Sequence, residues 1–179
     1  RSVSQRKRNL FANASPVRRG VIEQSEDDGE VERGTTMALD AATLALTARE
    51  LKAALTEAKI AKIFEPTRDE LVLTLRTRTD TYSLLLSARS GSARVCLTEE
   101  SFENPETPPS FCMLMRKHLT GGKLLDVRME PGDRIVYFEF QCTNEMGDLV
   151  RNILCAELMG RYSNLVLVQN GKIIDALKR

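Results

Sequence analysis

The chain contains no tryptophan, a single histidine and no Cys-x-x-Cys spacing, and each shortage removes a class of function. With only His118, a Ser-His-Asp or Cys-His arrangement would have to use that one imidazole, and nothing in the sequence pairs it. The four cysteines, Cys96, Cys112, Cys142 and Cys155, are irregularly spaced, and His118 stands near none of them in a zinc-type spacing. They are expected to be free thiols in a reducing cytosol, with no metal and no cofactor. No apolar run approaches the ~20 residues of a membrane span, so no membrane partner is expected. The opening "RSVSQRKRNLFANASP" is basic without an apolar core segment, so no secretory signal is read there. No glycine-rich phosphate loop, nucleophile elbow or HExxH helix is present, and the carboxylates form no recognisable catalytic pair. The expectation is a protein that is not an enzyme.

What is there is a chain of 179 residues, a length for one domain, with a formal net charge of +1. The charge is unevenly laid out. Every charged side chain from Arg1 to Gly20 is basic, every one from Val21 to Glu32 is acidic, and from Met37 onward the signs balance. Bulk charge announces no nucleic-acid partner, so any such partner must meet a local patch. Residues 1–36 have few large apolar side chains and no sustained periodicity, which predicts a disordered extension, a fusion remnant or a mis-assigned start. Residues 37–179 read as the folded unit, a piece of a longer parent protein.

In "DAATLALTARELKAALTEA" the residues Leu44, Ala48, Leu51, Leu55 and Ala58 recur at spacings of three and four, one stripe of an amphipathic helix. "KIAKIFEP" and "ELVLTLRT" form a predicted hairpin around Thr67-Arg68-Asp69, and "YSLLLSA" and "RVCLT" continue in strand composition. "ENPETPPS" is a proline-rich loop whose last proline, Pro109, is placed to start the helix "SFCMLMRKHL". That helix stops at Gly121-Gly122, suited to a left-handed cap. "KLLDVRME", Pro131-Gly132 and "RIVYFEFQ" make a second hairpin. "LVRNILCAELM", "NLVLVQ", the Asn170-Gly171 turn and "KIIDAL" follow. The predicted fold class is α+β: two main helices and about eight mostly antiparallel strands.

Four stretches could carry function. Asp40 stands where an N-cap belongs. Arg116-Lys117-His118 ends the second helix, where cations complement the macrodipole; Arg116 and Lys117 could equally face an RNA backbone. Met159, Gly160, Arg161, Ser163 and Asn164 form either a polar turn or a loop that holds a nucleotide end. Asp133-Arg134 is either turn chemistry or a guanidinium fork, oriented by its carboxylate, for phosphate or a nucleotide edge.

The blocks "LTARELKAAL", "KIAKIFEP", "LLLSARSGSARVCLT", "FENPETPPSFCMLMRKHLTGG", "GDRIVYFEF", "NEMGDLV" and "AELMGRYSNLVLV" fall in one order and spacing. From about Met37 to Arg179 they resemble the N-terminal domain of NFACT proteins. The bacterial branch is the most similar: ribosome quality-control factors long described as fibronectin-binding proteins. The resemblance implies a cytoplasmic, RNA-binding factor that engages the large ribosomal subunit (and its rRNA) obstructed by a peptidyl-tRNA nascent chain. It implies recruitment of alanyl-tRNA for C-terminal alanine tailing. In the family an Asp-Arg pair serves tailing and falls on Asp133 and Arg134, and an aspartate before the first helix falls on Asp40. The family's Met-Gly-Arg-x-Ser-Asn loop falls on Met159 to Asn164, with Tyr162 where many relatives carry His. Ser90-Gly91 also departs from the family's usual aromatic or proline. The family's helix-hairpin-helix region, coiled coil and NFACT-R domain have no counterpart in this chain. The resemblance extends to the fold of the N-terminal domain of formamidopyrimidine DNA glycosylases. Their Pro-Glu opening is missing, since Ala38 follows Met37. The alternative function is adhesion through fibronectin.

Overall fold

A computed structural model describes residues 40–179, so the expectation for residues 1–36 lies outside the described residues. Helix α1 (Ala41–Leu55) buries Leu44, Ala48, Leu51 and Leu55, the stripe read from the sequence. Its first turn is capped by Asp40, whose Oδ1 accepts from the Thr43 amide at 2.6 Å. Four strands follow: β1 (Lys59–Thr67), β2 (Glu70–Arg76), β3 (Thr81–Ser87) and β4 (Arg94–Thr98). After α2 (Ser110–Leu119) come β5 (Lys123–Met129), β6 (Ile135–Thr143), β7 (Leu149–Glu157), β8 (Asn164–Gln169) and β9 (Lys172–Ala176). All pair antiparallel in one nine-stranded sheet of order β4-β3-β2-β1-β5-β6-β7-β8-β9. The class is α+β as expected, with nine strands instead of about eight. Pro66 sits at a register shift in β1, where its missing N–H breaks no ladder bond. Pro109 does not begin α2; it occupies the N-cap position with extended backbone (φ −60°, ψ 160°). The Asn170-Gly171 turn has both residues at positive φ, 51° and 72°, as a two-residue type I′ hairpin requires.

The organising feature is the junction of β1 with β5. The two strands pair only at their first residues, Lys59 opposite Lys123. Ile60 N to Gly122 O, Gly121 N to Ile60 O and Leu124 N to Ala58 O, at 2.8–2.9 Å, complete the seam. Because the pairing is antiparallel, β1 and β5 leave the junction in opposite directions. Helices line the two departing strands: Lys52 of α1 pairs with Asp126 of β5 at 2.7 Å. Arg116 of α2 donates to Ile63 O of β1 at 2.9 Å. The halves fold over the junction onto one core that includes Leu73, Phe138 and Leu165. Their far ends are clasped where Lys178 Nζ donates to Ala88 O at 2.5 Å and lies 3.4 Å from Asp69. The domain therefore has a junction end and a clasped end.

Candidate nucleic-acid interface

At the clasped end, the β5–β6 turn is shaped by Gly132 at φ +78°. Glu130 N donates to Ile135 O at 3.0 Å and Asp133 N to Glu130 O at 3.2 Å. Asp133 Oδ1 accepts from the amide of Arg134 at 2.7 Å. This corrects one expectation: the Asp133 carboxylate holds the backbone of Arg134 and does not hold its guanidinium. An adjacent amide lies within easy reach of a short carboxylate arm, and it is taken first. Among the described residues no ion pair or hydrogen bond engages the half-buried Arg134 guanidinium. Its carbonyl accepts from Leu158 N at 2.9 Å, so the backbone is pinned while the charged head is not.

That same bond brings Met159–Asn164 alongside. Ile135 pairs with Glu157, and the chain turns immediately through a short 3-10 segment, Gly160–Tyr162. Within the loop the side chains divide. Ser163 is fully buried and donates to Gly160 O at 2.7 Å. Asn164 holds the backbone of Lys178 from both sides, Oδ1 accepting and Nδ2 donating at 2.9 Å. Of the two readings of this stretch, polar turn or nucleotide-holding loop, these two side chains follow the first and build the loop. Arg161 and Tyr162 face outward: Arg161 Nη2 donates to the Tyr162 hydroxyl at 2.6 Å, and its guanidinium lies 4.7 Å from the ring centroid. Tyr162 is 67% exposed, a flat aromatic face beside a cation. The sequence shows Tyr162 only as a departure from the family's usual His, with no contact role attached to it.

Asp40 belongs to the same end. From Lys52 back to Asp40 the helix spans about 18 Å at its ordinary rise. From Asp126 forward to Gly132 the strand and turn span about 20 Å. Lys52 pairs with Asp126, and Glu57 just beyond α1 pairs with Lys123, so α1 lies along β5 with both tips pointing away from the junction. The Asp40 carboxyl is held below the usual aspartate value, chiefly by the Thr43 amide.

The structure does not bring Arg116-Lys117-His118 to this site. Asn152 Nδ2 donates to His118 O at 2.8 Å, and Asn152 lies six residues, about 20 Å of strand, from Leu158. Arg116 is committed to Ile63 O and stacks at 5.8 Å from the Phe64 ring centroid. Lys117 makes an exposed ion pair with Glu145 at 3.0 Å. The cluster is part of the junction end. Among the described residues no group of three or more His, Cys, Asp or Glu could hold a metal ion, and no helix is long and apolar enough to cross a membrane. All four cysteines are free, and burial pushes the Cys155 thiol up to about 11.

A nine-stranded antiparallel sheet folded over a helix-lined junction, with an Asp-Arg turn set beside a Gly-Arg loop, defines the class of domain. The family model for NFACT N-terminal and middle domains matches residues 40–179, and the chain belongs to that family. Among curated relatives, the Rqc2 homolog RqcH of Streptococcus suis is 40% identical over 131 residues, covering 72% of this chain and 24% of that protein. The Rqc2 homolog RqcH of Bacillus subtilis is 38% identical over 131 residues, with 72% and 23% covered. The chain thus spans about a quarter of the length of these relatives. Among solved structures, the N-terminal domain of the fibronectin-binding protein PavA from Streptococcus pneumoniae superposes with a TM-score of 0.74 at 37% identity, covering 75% of this chain and 52% of that one. The N-terminal part of the fibronectin/fibrinogen-binding protein FBPS from Streptococcus suis gives 0.73 at 39% identity, covering 75% and 52%.

Proposed function

We propose that this domain is the tRNA-facing module of a ribosome quality-control factor working in the cytoplasm. The parent factor binds obstructed large ribosomal subunits that hold peptidyl-tRNA and recruits alanyl-tRNA for C-terminal alanine tailing. The observation that carries the reading is the Arg134 guanidinium, unengaged among the described residues on a backbone locked by Asp133 and Leu158. A planar cation with its fork free, on a fixed stem, suits a phosphate or ribose edge. Arg161 and the Tyr162 face beside it suit an unstacked base. Peptide-bond formation stays with the ribosome, so the domain is not an enzyme. The reading includes a fold shared with the N-terminal domain of formamidopyrimidine DNA glycosylases, without their chemistry, because no Pro-Glu pair opens the domain. Borohydride trapping on damaged DNA should yield no adduct. The function is tested by fluorescence anisotropy with uncharged tRNA: Arg134→Ala should weaken binding several-fold, and unchanged binding would sink the assignment.

The names of the solved relatives favour a second reading, adhesion to fibronectin. Fractionation of cells separates the two. A surface-exposed pool that ignores ribosomes supports adhesion, and co-sedimentation with large subunits supports quality control.

A further inference from the structure

The junction end holds a groove of about 1040 Å³ that the function above does not use. It lies between the second half of α1 and the β2–β3 turn, with the start of β1 and β5 at its base. The register of the sheet places three cations in one row across its floor. Arg76 is directly opposite Lys59 on β2 and β1, and Lys59 is directly opposite Lys123 on β5. Directly opposed residues point to the same face, and adjacent strands lie about 4.8 Å apart, so the three side chains rise from one row about 10 Å long.

Like charges directly opposite one another destabilise a sheet. Nearby acids could relieve the row, and one does: Lys123 Nζ pairs with Glu57 at 2.8 Å. Among the described residues Lys59 and Arg76 have no acidic partner, although Glu50 also lines the groove. Arg78 adds a fourth cation at the rim. A sheet that keeps a repulsive row along the floor of a groove is arranged for an anion from outside. The row runs along a line across the strands, which fits successive charges of a polyanion better than one small ion.

We propose that this groove is a second phosphate-binding surface, taking the backbone of a single-stranded stretch of RNA on Lys59, Arg76 and Lys123. The inference rests on the RNA reading of the clasped end. The two surfaces lie at opposite ends of the domain, so one RNA or two separate segments can be gripped at both.

The test uses the 179-residue chain and a fluorescein-labelled single-stranded RNA of about 20 nucleotides, titrated at several salt concentrations. Lys59→Gln combined with Arg76→Gln should weaken binding about tenfold at low salt. It should also flatten the log–log salt slope by about 1.4, since each phosphate contact contributes about 0.7 for single strands. The melting temperature should stay level or rise, because the variant removes repulsion; a structural role would lower it. Wild-type binding with an unchanged slope in the double variant, or a lowered melting temperature, overturns the inference. So does competition by polyglutamate as effective as that by unlabelled RNA, which would assign the row to acidic protein. If Arg134→Ala weakens binding while the row variant does not, this inference falls and the function above stands. If the wild-type chain binds uncharged tRNA but not this RNA, this inference alone falls; if it binds neither, both fall.

Discussion

Gly122 sits at the junction, and a methyl group there should be felt through the whole domain. A Cβ added at Gly122 would lie 2.6 Å from Cys142 Sγ, 2.9 Å from Leu119 O and 3.5 Å from Gln141 O. Its backbone is not in the left-handed region, so the penalty is steric only. The Leu119 carbonyl cannot retreat freely, since it accepts from Gly122 N at 2.9 Å, and Cys142 is buried. Overpacking of this kind costs about 2–3 kcal/mol. For a domain of this size that lowers Tm by roughly 6–9 °C, at about 3 °C per kcal/mol. Cys142→Ala removes the nearer obstacle and should by itself cost about 1 kcal/mol through lost burial. Because it relieves one of the two clashes, the double variant should show a favourable coupling of about 1 kcal/mol. Gly121→Ala is the control: its Cβ meets nothing, and its φ of +77° makes the cost conformational, about 1–2 kcal/mol. Cys142→Ala should not relieve that cost. Urea unfolding of the five variants, Gly121→Ala with Cys142→Ala included, reads all these terms. A Gly122→Ala protein within about 0.5 kcal/mol of wild type, or strictly additive effects with Cys142→Ala, would refute the packing argument.

Other outcomes follow from single sites. Asp40 has a depressed pKa, so its charged-cap contribution is complete above the ordinary value near 3.8 and fades as pH falls through the lower folded value. The stability gap between wild type and Asp40→Asn should therefore shrink between about pH 6 and about pH 2.5, and a gap independent of pH contradicts this. Cys155, with its thiol raised to about 11, should resist iodoacetamide at pH 8 in the native state; labelling at the rate of an unfolded thiol would contradict its burial. Asn152 is fully buried and bridges His118 O to Gln169 Nε2, each at 2.8 Å. Asn152→Ala should cost about 2–3 kcal/mol by stranding both partners, and a loss under about 1 kcal/mol would mean that water replaces it.

The parts legible in the sequence were those governed by neighbours in the chain. The Leu44–Leu55 stripe, the Asp40 cap and the Asn170-Gly171 turn each depend on a few consecutive residues, and each stands as read. Pro109 illustrates the limit of local rules, because cap and first-turn positions differ by one residue and proline tolerates both. What sequence could not show was pairing across an intervening helix. The Lys59–Lys123 contact joins strands separated by three strands and α2, and no periodicity announces it. Without that register the cationic row Arg76–Lys59–Lys123 reads as three unrelated surface residues. The site was half legible for the same reason. Asp133, Arg134 and Met159–Asn164 do meet, through the Leu158–Arg134 bond. Arg116 looked available for RNA, but its Nε is claimed by Ile63 O, a residue 53 positions away. Ser163 and Asn164 look like ligand residues and serve as braces, while Arg161 and Tyr162 are turned outward.

The account centres on the clasped end, and the most direct measurement is alanine tailing of a stalled nascent chain in cells. The parent protein should carry Asp133→Ala together with Arg134→Ala, at a level matched to wild type. The account predicts that tails are lost while the altered protein remains folded and abundant. Tails of undiminished length and yield would contradict it.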